Sequence, residues 1–341
     1  GRPAMLGPLA DGAVRETPRR DAVREPDQLP RPAWDLLDLA PYESMWRARH
    51  GYWSLNLVSS RGCPYRCSWC AKPLYGNQYY LHSPERVVAD LAWLKARHNF
   101  EHVWFCDDIF GLRADWLERF ADGLAAAGIT IRSMIQARAD LLVRAQIREP
   151  LVRAGLETVW LGVESGSQKV LDAMRKGITV EDVHVATRAL KAAGVRVGFF
   201  LQFGYLGETR EDIDATLEML LSLLPDEIGV SVSYPLPGTE FHQQVQAQMG
   251  GKTNWEHSDD LALMYRGTFS PAYYRRLHRY VHKRFQAARG WASLVALLRR
   301  PWQANRRLLR SAVLTGYFAP ASAVDHLRLR PLGEPGRDPR C

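Results

Sequence analysis

Three cysteines lie within eight consecutive positions, and their type and spacing carry the most specific chemistry in the chain. Cys63, Cys67 and Cys70 follow the pattern C-x3-C-x2-C directly after a run of residues typical of a β-strand. Thiolates bind soft metals and iron–sulfur clusters. Three thiolates on one short loop can hold three corners of a cubane cluster, which leaves the fourth iron open to a small molecule.

A structural zinc site is the alternative use of the same three cysteines. Zinc in such sites is tetrahedral, so it requires a fourth protein ligand. The sequence offers Cys106, His82 and His102 as candidates for that ligand. Spacing alone leaves both the cluster and the zinc interpretation open.

Alternating strand and helix patterns indicate how the cysteines are positioned. Strand-like runs occur at 53–59, 102–106, 131–137, 158–163, 195–203 and 227–233. Helical patterns separate them at 115–127, 139–154, 167–193 and 210–224, and in a helix that begins at Pro84 with Ser83 as its N-cap. This alternation predicts parallel βα units with right-handed crossovers. Six units are too few for the closed eight-stranded barrel. The predicted fold is therefore α/β, a partial (β/α)6 TIM-like barrel with an N-terminal linker and a C-terminal helical appendage.

Polar residues gather where the predicted strands end. In barrels of this kind the chemistry lies on loops at the carboxyl ends of the strands. The cysteines follow the first strand, and the later strands end at Asp107 and Asp108, Gln136 and Arg138, Glu164 and Ser165, Gln202 and Glu208, and Tyr234. We therefore expect a functional rim formed by these residues and the cysteines.

The motifs at this rim resemble those of the radical S-adenosylmethionine (SAM) superfamily. The resemblance rests on the cysteine spacing with Trp69 before the last cysteine, and on DDIFG at 107–111, GVESGS at 162–167, GETREDI at 207–213 and YPLPGTEF at 234–241. It extends over about residues 30–285. The pattern is most similar to the cobalamin-associated class. Within that class, GFFLQFGYLGET, IGVSVSYPLPGTEF and KTNWEHSDDLALMY resemble the anaerobic magnesium-protoporphyrin IX monomethyl ester oxidative cyclase subgroup.

The resemblance implies a set of cofactors and a reaction. Cys63, Cys67 and Cys70 are expected to ligate a [4Fe-4S] cluster whose open iron is chelated by the amino and carboxylate groups of SAM. An electron from the cluster then cleaves SAM to methionine and a 5′-deoxyadenosyl radical, which abstracts hydrogen from the substrate. In cobalamin-dependent members SAM also serves as a methyl donor through the corrin. The protein positions these cofactors and excludes solvent.

The resemblance also implies cofactor-binding roles for individual rim residues, while catalytic residues stay unassigned. The expected contacts are Trp69 and Tyr234 with the adenine, Asp107 and Asp108 with the SAM amino group, Glu164 and Ser165 with the ribose or carboxylate of SAM, Arg138 with that carboxylate or an acidic substrate, and Gln202 with the barrel interior. Each of these residues also has a possible structural role that involves no cofactor, which for Arg138 is an ion pair with Asp140 or Glu164. Two turns depart from the family pattern. The Gly-Gly-Glu form after the second strand is absent, and Leu206 stands where proline is common.

Composition and the extent of the resemblance suggest three regions. Residues 1–48, rich in Pro, Arg, Asp and Glu, are expected to form a linker or docking segment. Residues 49–275 are expected to form the core barrel, and residues 276–341 a basic helical extension. In the cobalamin-associated class a cobalamin-binding domain precedes the barrel, but its Asp-x-His-x2-Gly signature is absent from this sequence. We therefore expect either a fragment of a longer cobalamin enzyme or a relative without that domain.

Charge and hydropathy narrow the expected partners. The formal net charge is +8, and residues 291–341 carry nine arginines against three acidic residues. Such a segment is typical of a solvated helical face, or of contact with nucleic acid or an anionic membrane surface. No tract of interleaved basic and aromatic residues makes nucleic acid the expected partner. No apolar run reaches the roughly 18 residues of a membrane span.

Cysteine usage and the absence of a secretory signal favour the cytoplasm. The expected partners are a small-molecule substrate, first of all a tetrapyrrole, and an electron donor such as a flavodoxin, a ferredoxin or a reductase. Two other functions stay open at this point. One is a cobalamin-dependent radical SAM methyltransferase, and the other is a non-catalytic zinc-stabilised module whose basic tail contacts a polyanion.

Overall fold

A computed structural model of the protein describes residues 4–8, 14–17, 22–71, 77–252, 261 and 263–333. Six parallel strands form one sheet in which each strand pairs with its neighbours along the chain, in the order β6-β5-β4-β3-β2-β1. The strands are β1 (Ser54–Leu57), β2 (His102–Phe105), β3 (Arg132–Ala137), β4 (Leu156–Glu164), β5 (Arg196–Phe203) and β6 (Glu227–Val232). The predicted partial (β/α)6 barrel is therefore confirmed.

One helix precedes these strands, and others connect them or follow the last of them. They are α1 (Ala40–His50), α2 (Pro84–Lys95), α3 (Ala114–Ala126), α4 (Ala139–Leu142), α5 (Ala145–Arg153), α6 (Gln168–Ala173), α7 (Val180–Ala192), α8 (Arg210–Leu223), α9 (Glu240–Val245), α10 (Pro271–Arg299) and α11 (Arg306–Leu329). None of the helices in the described ranges is both long enough and apolar enough to cross a membrane.

Side-chain caps set where several helices begin. The hydroxyl of Ser83 accepts a hydrogen bond from the amide of Arg86 at 3.1 Å, which confirms the predicted start of α2. A capping box formed by Thr179 and Asp182 begins α7, and the same device begins α8. The cap of α8 ends the loop that follows β5 and thereby limits the length of that loop at the functional rim.

The central strands of the sheet have one completely buried face. Val159, Leu161 and Val163 of β4 are each fully buried, as are Val197 and Phe199 of β5. Because side chains alternate between the faces of a strand, these residues share one face, while Trp160 and Phe200 on the other face are only partly covered. This packed core gives the loops at the carboxyl ends of the strands a rigid base.

The segment predicted as one helix over 139–154 is two helices, α4 and α5. Arg144 adopts an extended conformation between them, with φ of −76° and ψ of 121°. The Arg148 guanidinium donates hydrogen bonds to the carbonyls of Leu142 and Val143 at 2.9 and 3.0 Å. These bonds satisfy acceptors that the helix end leaves open, so the break is stabilised by a side chain from the next turn.

The helix α10 joins the barrel to the C-terminal region. Tyr273, Tyr274 and Leu277, in its first two turns, are buried in the same core as the sheet. The predicted boundary between residues 275 and 276 therefore falls inside a helix that packs on the barrel. Similarly, the predicted boundary after residue 48 falls inside α1, and the region before it contains an antiparallel strand pair, Ala4–Pro8 with Val14–Thr17.

Candidate functional site

The three cysteines lie on residues 62–71, named here the cysteine loop, after β1 at the carboxyl edge of the sheet. Two short antiparallel strands, Ser60–Arg61 and Tyr80–Leu81, form its base. Gly62 turns the chain with a φ of 82°, and a Cβ at this position would lie 2.4 Å from the carbonyl oxygen of Gln78. Only glycine tolerates this backbone conformation and this close approach.

Asp107, at the end of β2, holds the start of this segment. Its Oδ1 accepts hydrogen bonds from the amides of Ser59 and Ser60 at 2.7 and 2.9 Å, and its Oδ2 accepts one from the Ser59 hydroxyl. Burial raises the pKa of Asp107 to about 6, against the effect of these donors. The resemblance predicts that Asp107 contacts the SAM amino group. In the structure its carboxylate bonds to Ser59 and Ser60, which lead into the loop, while the neighbouring Asp108 is exposed, and their contacts with SAM stay predictions.

Ser68, between the second and third cysteines, fixes the middle of the cysteine loop. Its hydroxyl lies 3.0 Å from the carbonyl of Met174 and 2.6 Å from the hydroxyl of Tyr205. Its amide donates to the same Met174 carbonyl at 3.0 Å, and its own carbonyl accepts from the amide of Phe241 at 2.9 Å. Burial raises the pKa of Tyr205, so its phenol stays protonated and can donate. Ser68 is not among the residues predicted from the sequence, where its position between two cysteines of the motif is the one signal for it.

Arg138, at the end of β3, is buried and tied to protein groups. It forms an ion pair with Asp140 at 2.9 Å and donates to the carbonyls of Lys176 and Gly177 at 2.6 and 2.9 Å. Its guanidinium also lies 3.7 Å from the centre of the Tyr65 ring on the cysteine loop. The predicted alternative of an ion pair with Asp140 is therefore present. These contacts indicate that Arg138 positions the loop, and its predicted contact with the SAM carboxylate stays a prediction.

Glu164 ends β4 in an unusual conformation and carries a buried ion pair. Its φ is 63°, in the left-handed region that non-glycine residues seldom occupy, and the register of β4 against β5 shifts between Gly162 and Glu164. Its Oε1 accepts a hydrogen bond from the Lys176 ammonium at 2.8 Å, and the two side chains are 6% and 8% exposed. Strained residues of this kind cluster at functional sites. Lys176 was not predicted, because nothing in the sequence pairs it with Glu164.

Ser165 and Gln202, two other predicted residues, form hydrogen bonds at the rim. The hydroxyl of Ser165 lies 3.1 Å from that of Thr216 on α8. The side-chain amide of Gln202, at the end of β5, donates to the hydroxyl of Ser233 at 2.9 Å, just after β6. Both predicted residues are buried. They lie at the rim where the sequence predicts them, and their contacts hold neighbouring strand and helix ends together.

Trp69 and Tyr234 leave polar atoms for a ligand. The indole Nε1 of Trp69 and the hydroxyl of Tyr234 are buried and have no hydrogen-bond partner within the described part of the chain, and the same is true of Asn77 Oδ1. Buried polar atoms are normally paired, so unpaired ones need an explanation. Because the resemblance assigns Trp69 and Tyr234 to the adenine of SAM, these atoms fit that cofactor.

A cavity of about 280 Å³ opens beside the cysteine loop. Its lining includes Cys67, Cys70, Asn77, Arg66 and Arg175. Cysteine sulfurs are the usual protein ligands of iron–sulfur clusters, and Cys63 lies on the same loop as these two cysteines. The residues present therefore fit an iron–sulfur cluster held by three cysteines.

The candidates for a fourth zinc ligand have other partners. His82 contacts Asp27 at 3.0 Å, and the Cys106 thiol contacts the carbonyl of Trp104 at 3.7 Å. His102 bonds to Ser54 at the amino end of β2, and burial lowers its pKa to about 4. In the ranges that the structure describes, no three His, Cys, Asp or Glu side chains converge on a single ion position. A cubane binds each thiolate at a separate iron and needs no such convergence.

Comparison with known proteins shows what the chain is similar to. Residues 57–220 match the model of the Radical SAM superfamily. An uncharacterised methyltransferase of Pyrococcus horikoshii is 29% identical over 231 residues, which are 67% of this chain and 49% of that protein. The anaerobic magnesium-protoporphyrin IX monomethyl ester cyclase of Rubrivivax gelatinosus is 26% identical over 241 residues, 69% of this chain and 42% of that protein. The chain thus spans about half the length of the curated relatives it matches.

The fold is shared with a solved structure over nearly the whole chain. The cobalamin-dependent SAM radical enzyme OxsB, with aqua-cobalamin and SAM bound, superposes with a TM-score of 0.62 at 20% identity, over 94% of this chain and 51% of OxsB. The matched region from residue 57 to 220 includes the cysteine loop and five of the six strand ends of the rim. The resemblance predicted from the sequence is confirmed by the match of residues 57–220 to the radical SAM superfamily, a family whose cofactors are a [4Fe-4S] cluster and SAM.

Proposed function

We propose that this protein reductively cleaves SAM at a [4Fe-4S] cluster ligated by Cys63, Cys67 and Cys70 and thereby modifies a small molecule. The observation that carries the proposal is the placement of the three thiols. They share one loop at the carboxyl edge of a parallel six-stranded sheet, beside a cavity. When bound, the cluster and SAM supply a 5′-deoxyadenosyl radical that abstracts hydrogen from the substrate.

The chain's own residues position these groups. Asp107 and Ser68 hold the cysteine loop against β2, α6 and α9. Trp69 and Tyr234 offer an indole N–H and a phenol to a bound adenosyl group, since neither atom has a described protein partner. The buried pair of Glu164 and Lys176 places one carboxylate and one ammonium group at the rim, where SAM carries groups of both signs.

The test is anaerobic reconstitution with iron and sulfide, followed by reduction with dithionite in the presence of SAM. We expect 5′-deoxyadenosine, measured by chromatography, from the wild-type protein and none from the triple variant Cys63→Ala/Cys67→Ala/Cys70→Ala. Cys106→Ala is the matched control, because it removes an exposed cysteine outside the loop. Production of 5′-deoxyadenosine by the triple variant would refute the proposal. A flavodoxin or ferredoxin that replaces dithionite would identify the electron donor.

For the substrate, we propose a tetrapyrrole that undergoes oxidative cyclisation. The support is the likeness to the magnesium-protoporphyrin IX monomethyl ester cyclase, which extends over 69% of this chain. Magnesium-protoporphyrin IX monomethyl ester is therefore the first compound to test. We expect loss of hydrogen from it, detected by mass spectrometry, together with 5′-deoxyadenosine.

Cobalamin-dependent methyl transfer is the second candidate function. The likeness to an uncharacterised methyltransferase supports methyl transfer, and the fold shared with the cobalamin-dependent enzyme OxsB supports cobalamin as the cofactor. Addition of cobalamin distinguishes the two candidates. Formation of S-adenosylhomocysteine and of a methylated product supports methyl transfer, whereas unmethylated cyclised product supports cyclisation. Iron and sulfide contents, with zinc measured beside them, test the zinc-module alternative on the same samples.

A further inference from the structure

The antiparallel pair α10 and α11, named here the C-terminal hairpin, extends beyond the barrel. The last buried residue of α10 is Gly290, and none of the nine residues after it in the helix is buried. At about 1.5 Å per residue this part of α10 is roughly 14 Å long. On α11 the buried side chains among those described are Ser322, Asp325 and Leu329, all near its C-terminal end. The hairpin is therefore anchored at one end and exposed at the other.

The hairpin is a built element and not a frayed tail. A Cβ at Gly290 would lie 1.8 Å from the hydroxyl of Thr315, so the two helices approach closely at this glycine. At the anchored end, Asp325 pairs with Arg276 at 2.7 Å and with Lys283 at 2.6 Å. Burial disfavours the ionised form of Asp325, but these two cations outweigh it and lower its pKa. The exposed end is thus held in a defined position.

One face of α11 is an exposed apolar stripe. Its members are Leu309, Val313, Tyr317, Val324 and Leu327, which are 50%, 77%, 61%, 45% and 60% exposed. Their spacing of four, four, seven and three residues places them on the same side of a helix. Exposed contiguous apolar surface of this kind marks an interaction site.

Cations without acidic partners surround the exposed end of the hairpin. Arg299, Arg300, Arg306 and Arg310 are exposed, and the structure shows no ion pair for them within the described residues. Asp325 is the one acidic residue in 291–333, against seven arginines, and it is already paired. Trp302 and Leu298, 77% and 75% exposed, lie among these arginines. A basic, apolar and aromatic surface is typical of helices that lie in a membrane interface.

A cavity between the two helices is lined by arginines and by apolar side chains. It measures about 890 Å³, and its walls include Arg306, Arg310, Leu314 and Phe318. Two guanidinium groups beside apolar side chains suit a phosphate group that is attached to hydrocarbon.

We propose that the C-terminal hairpin docks this protein on the surface of a membrane that contains anionic lipids. The apolar stripe enters the boundary between headgroups and acyl chains, and the arginines contact the lipid phosphates. Charge complementarity favours this occupant. A second copy of the chain would bring the same positive charge against the face, and nucleic acid would leave the stripe in water. The proposal does not depend on the substrate or the reaction of the barrel.

The test is flotation of the full chain with lipid vesicles. We expect binding to vesicles of about two parts phosphatidylcholine to one part phosphatidylglycerol, and little binding to phosphatidylcholine alone. The double variant Arg306→Gln/Arg310→Gln is expected to lower the partition coefficient roughly 30-fold, since each basic residue near an anionic surface adds about a factor of five. Binding is also expected to weaken at about 1 M salt, where the Debye length falls to about 3 Å.

Two further variants keep the test specific. Arg24→Gln/Arg188→Gln removes the same charge from exposed positions outside the hairpin, and we expect it to bind like the wild type. Val313→Ser/Tyr317→Ser removes part of the stripe without changing charge, and we expect it to bind at least tenfold more weakly. Circular dichroism confirms that each variant is folded. Equal binding to neutral vesicles, an equal loss in the control pair, or self-association that disappears in the stripe variant would overturn the proposal.

Discussion

The carboxylate of Asp107 accepts a hydrogen bond from the backbone amide of Ser59 at 2.7 Å and thereby joins the end of β2 to the residues that lead into the cysteine loop. A second bond, from the amide of Ser60 at 2.9 Å, fixes the direction in which the chain leaves β1. Both amides are buried, and a buried amide without an acceptor is costly. The position of the three thiols therefore depends on a side chain more than 35 residues further along the chain.

We predict that Asp107→Ala lowers the free energy of unfolding by about 3 kcal/mol, because it leaves two buried amides unpaired at roughly 1–3 kcal/mol each. Urea denaturation measures this loss, and iron content after reconstitution is expected to fall at least twofold. Asp107→Asn keeps one acceptor oxygen and should lose less. Asp115→Ala, which breaks an exposed ion pair with Arg113, is the control and should change stability little. Unchanged stability and iron content with weakened SAM binding would instead support the SAM contact predicted from the sequence.

The buried pair of Glu164 and Lys176 leads to a prediction about charge. Lys176→Met removes the ammonium and leaves a carboxylate that is 6% exposed without its counter-ion. We expect a loss of about 3 kcal/mol in the free energy of unfolding. The double variant Glu164→Gln/Lys176→Met has no charge at either position of the pair and should recover much of that loss. Urea denaturation of the wild type, the two single variants and the double variant measures the coupling energy between Glu164 and Lys176. If the losses of the single variants add up to that of the double variant, the two side chains do not stabilise each other.

Local features of the structure could be predicted from the sequence, whereas long-range contacts could not. Strand alternation and the Ser83 cap are properties of short segments, and both are confirmed. The break at Arg144 depends on a guanidinium from the following helix, and the pattern of apolar residues carries no trace of it. The same holds for Ser68, whose partner Met174 lies 106 residues away. Polar contacts over such separations arise from tertiary packing, which one sequence without its fold does not specify.

The contact between Tyr205 and Ser68 leads to a prediction about the cysteine loop. Tyr205→Phe keeps the ring, which stacks on Phe241, and removes the hydroxyl that lies 2.6 Å from Ser68. We expect a loss of about 1 kcal/mol in stability and at least a twofold faster loss of iron to a chelator. Tyr42→Phe, at an exposed position, is the matched control. If the two variants lose iron at the same rate, the hydroxyl of Tyr205 does not position the loop.

Glu208 lies just after β5 and is completely buried. Its Oε2 accepts a hydrogen bond from the amide of Gly204 at 2.6 Å, while Oε1 has no partner within the described residues. Burial raises the pKa of Glu208 from 4.5 to about 8, and the single backbone bond only partly opposes this shift. The folded protein therefore holds Glu208 in its protonated form at neutral pH.

This shift predicts how stability depends on pH. Below about pH 4.5 the carboxyl is protonated in both the folded and the unfolded chain; between there and about pH 8 only the unfolded chain releases the proton. The free energy of unfolding should therefore fall as pH rises through this window, by up to about 1.4 kcal/mol per pH unit. Glu208→Gln keeps the acceptor for Gly204 and cannot ionise. The difference in free energy of unfolding between this variant and the wild type, measured by urea denaturation, should therefore grow from pH 5 to pH 8 and then stay constant. If the free energy of unfolding has the same pH slope in both proteins, Glu208 does not titrate as its burial predicts.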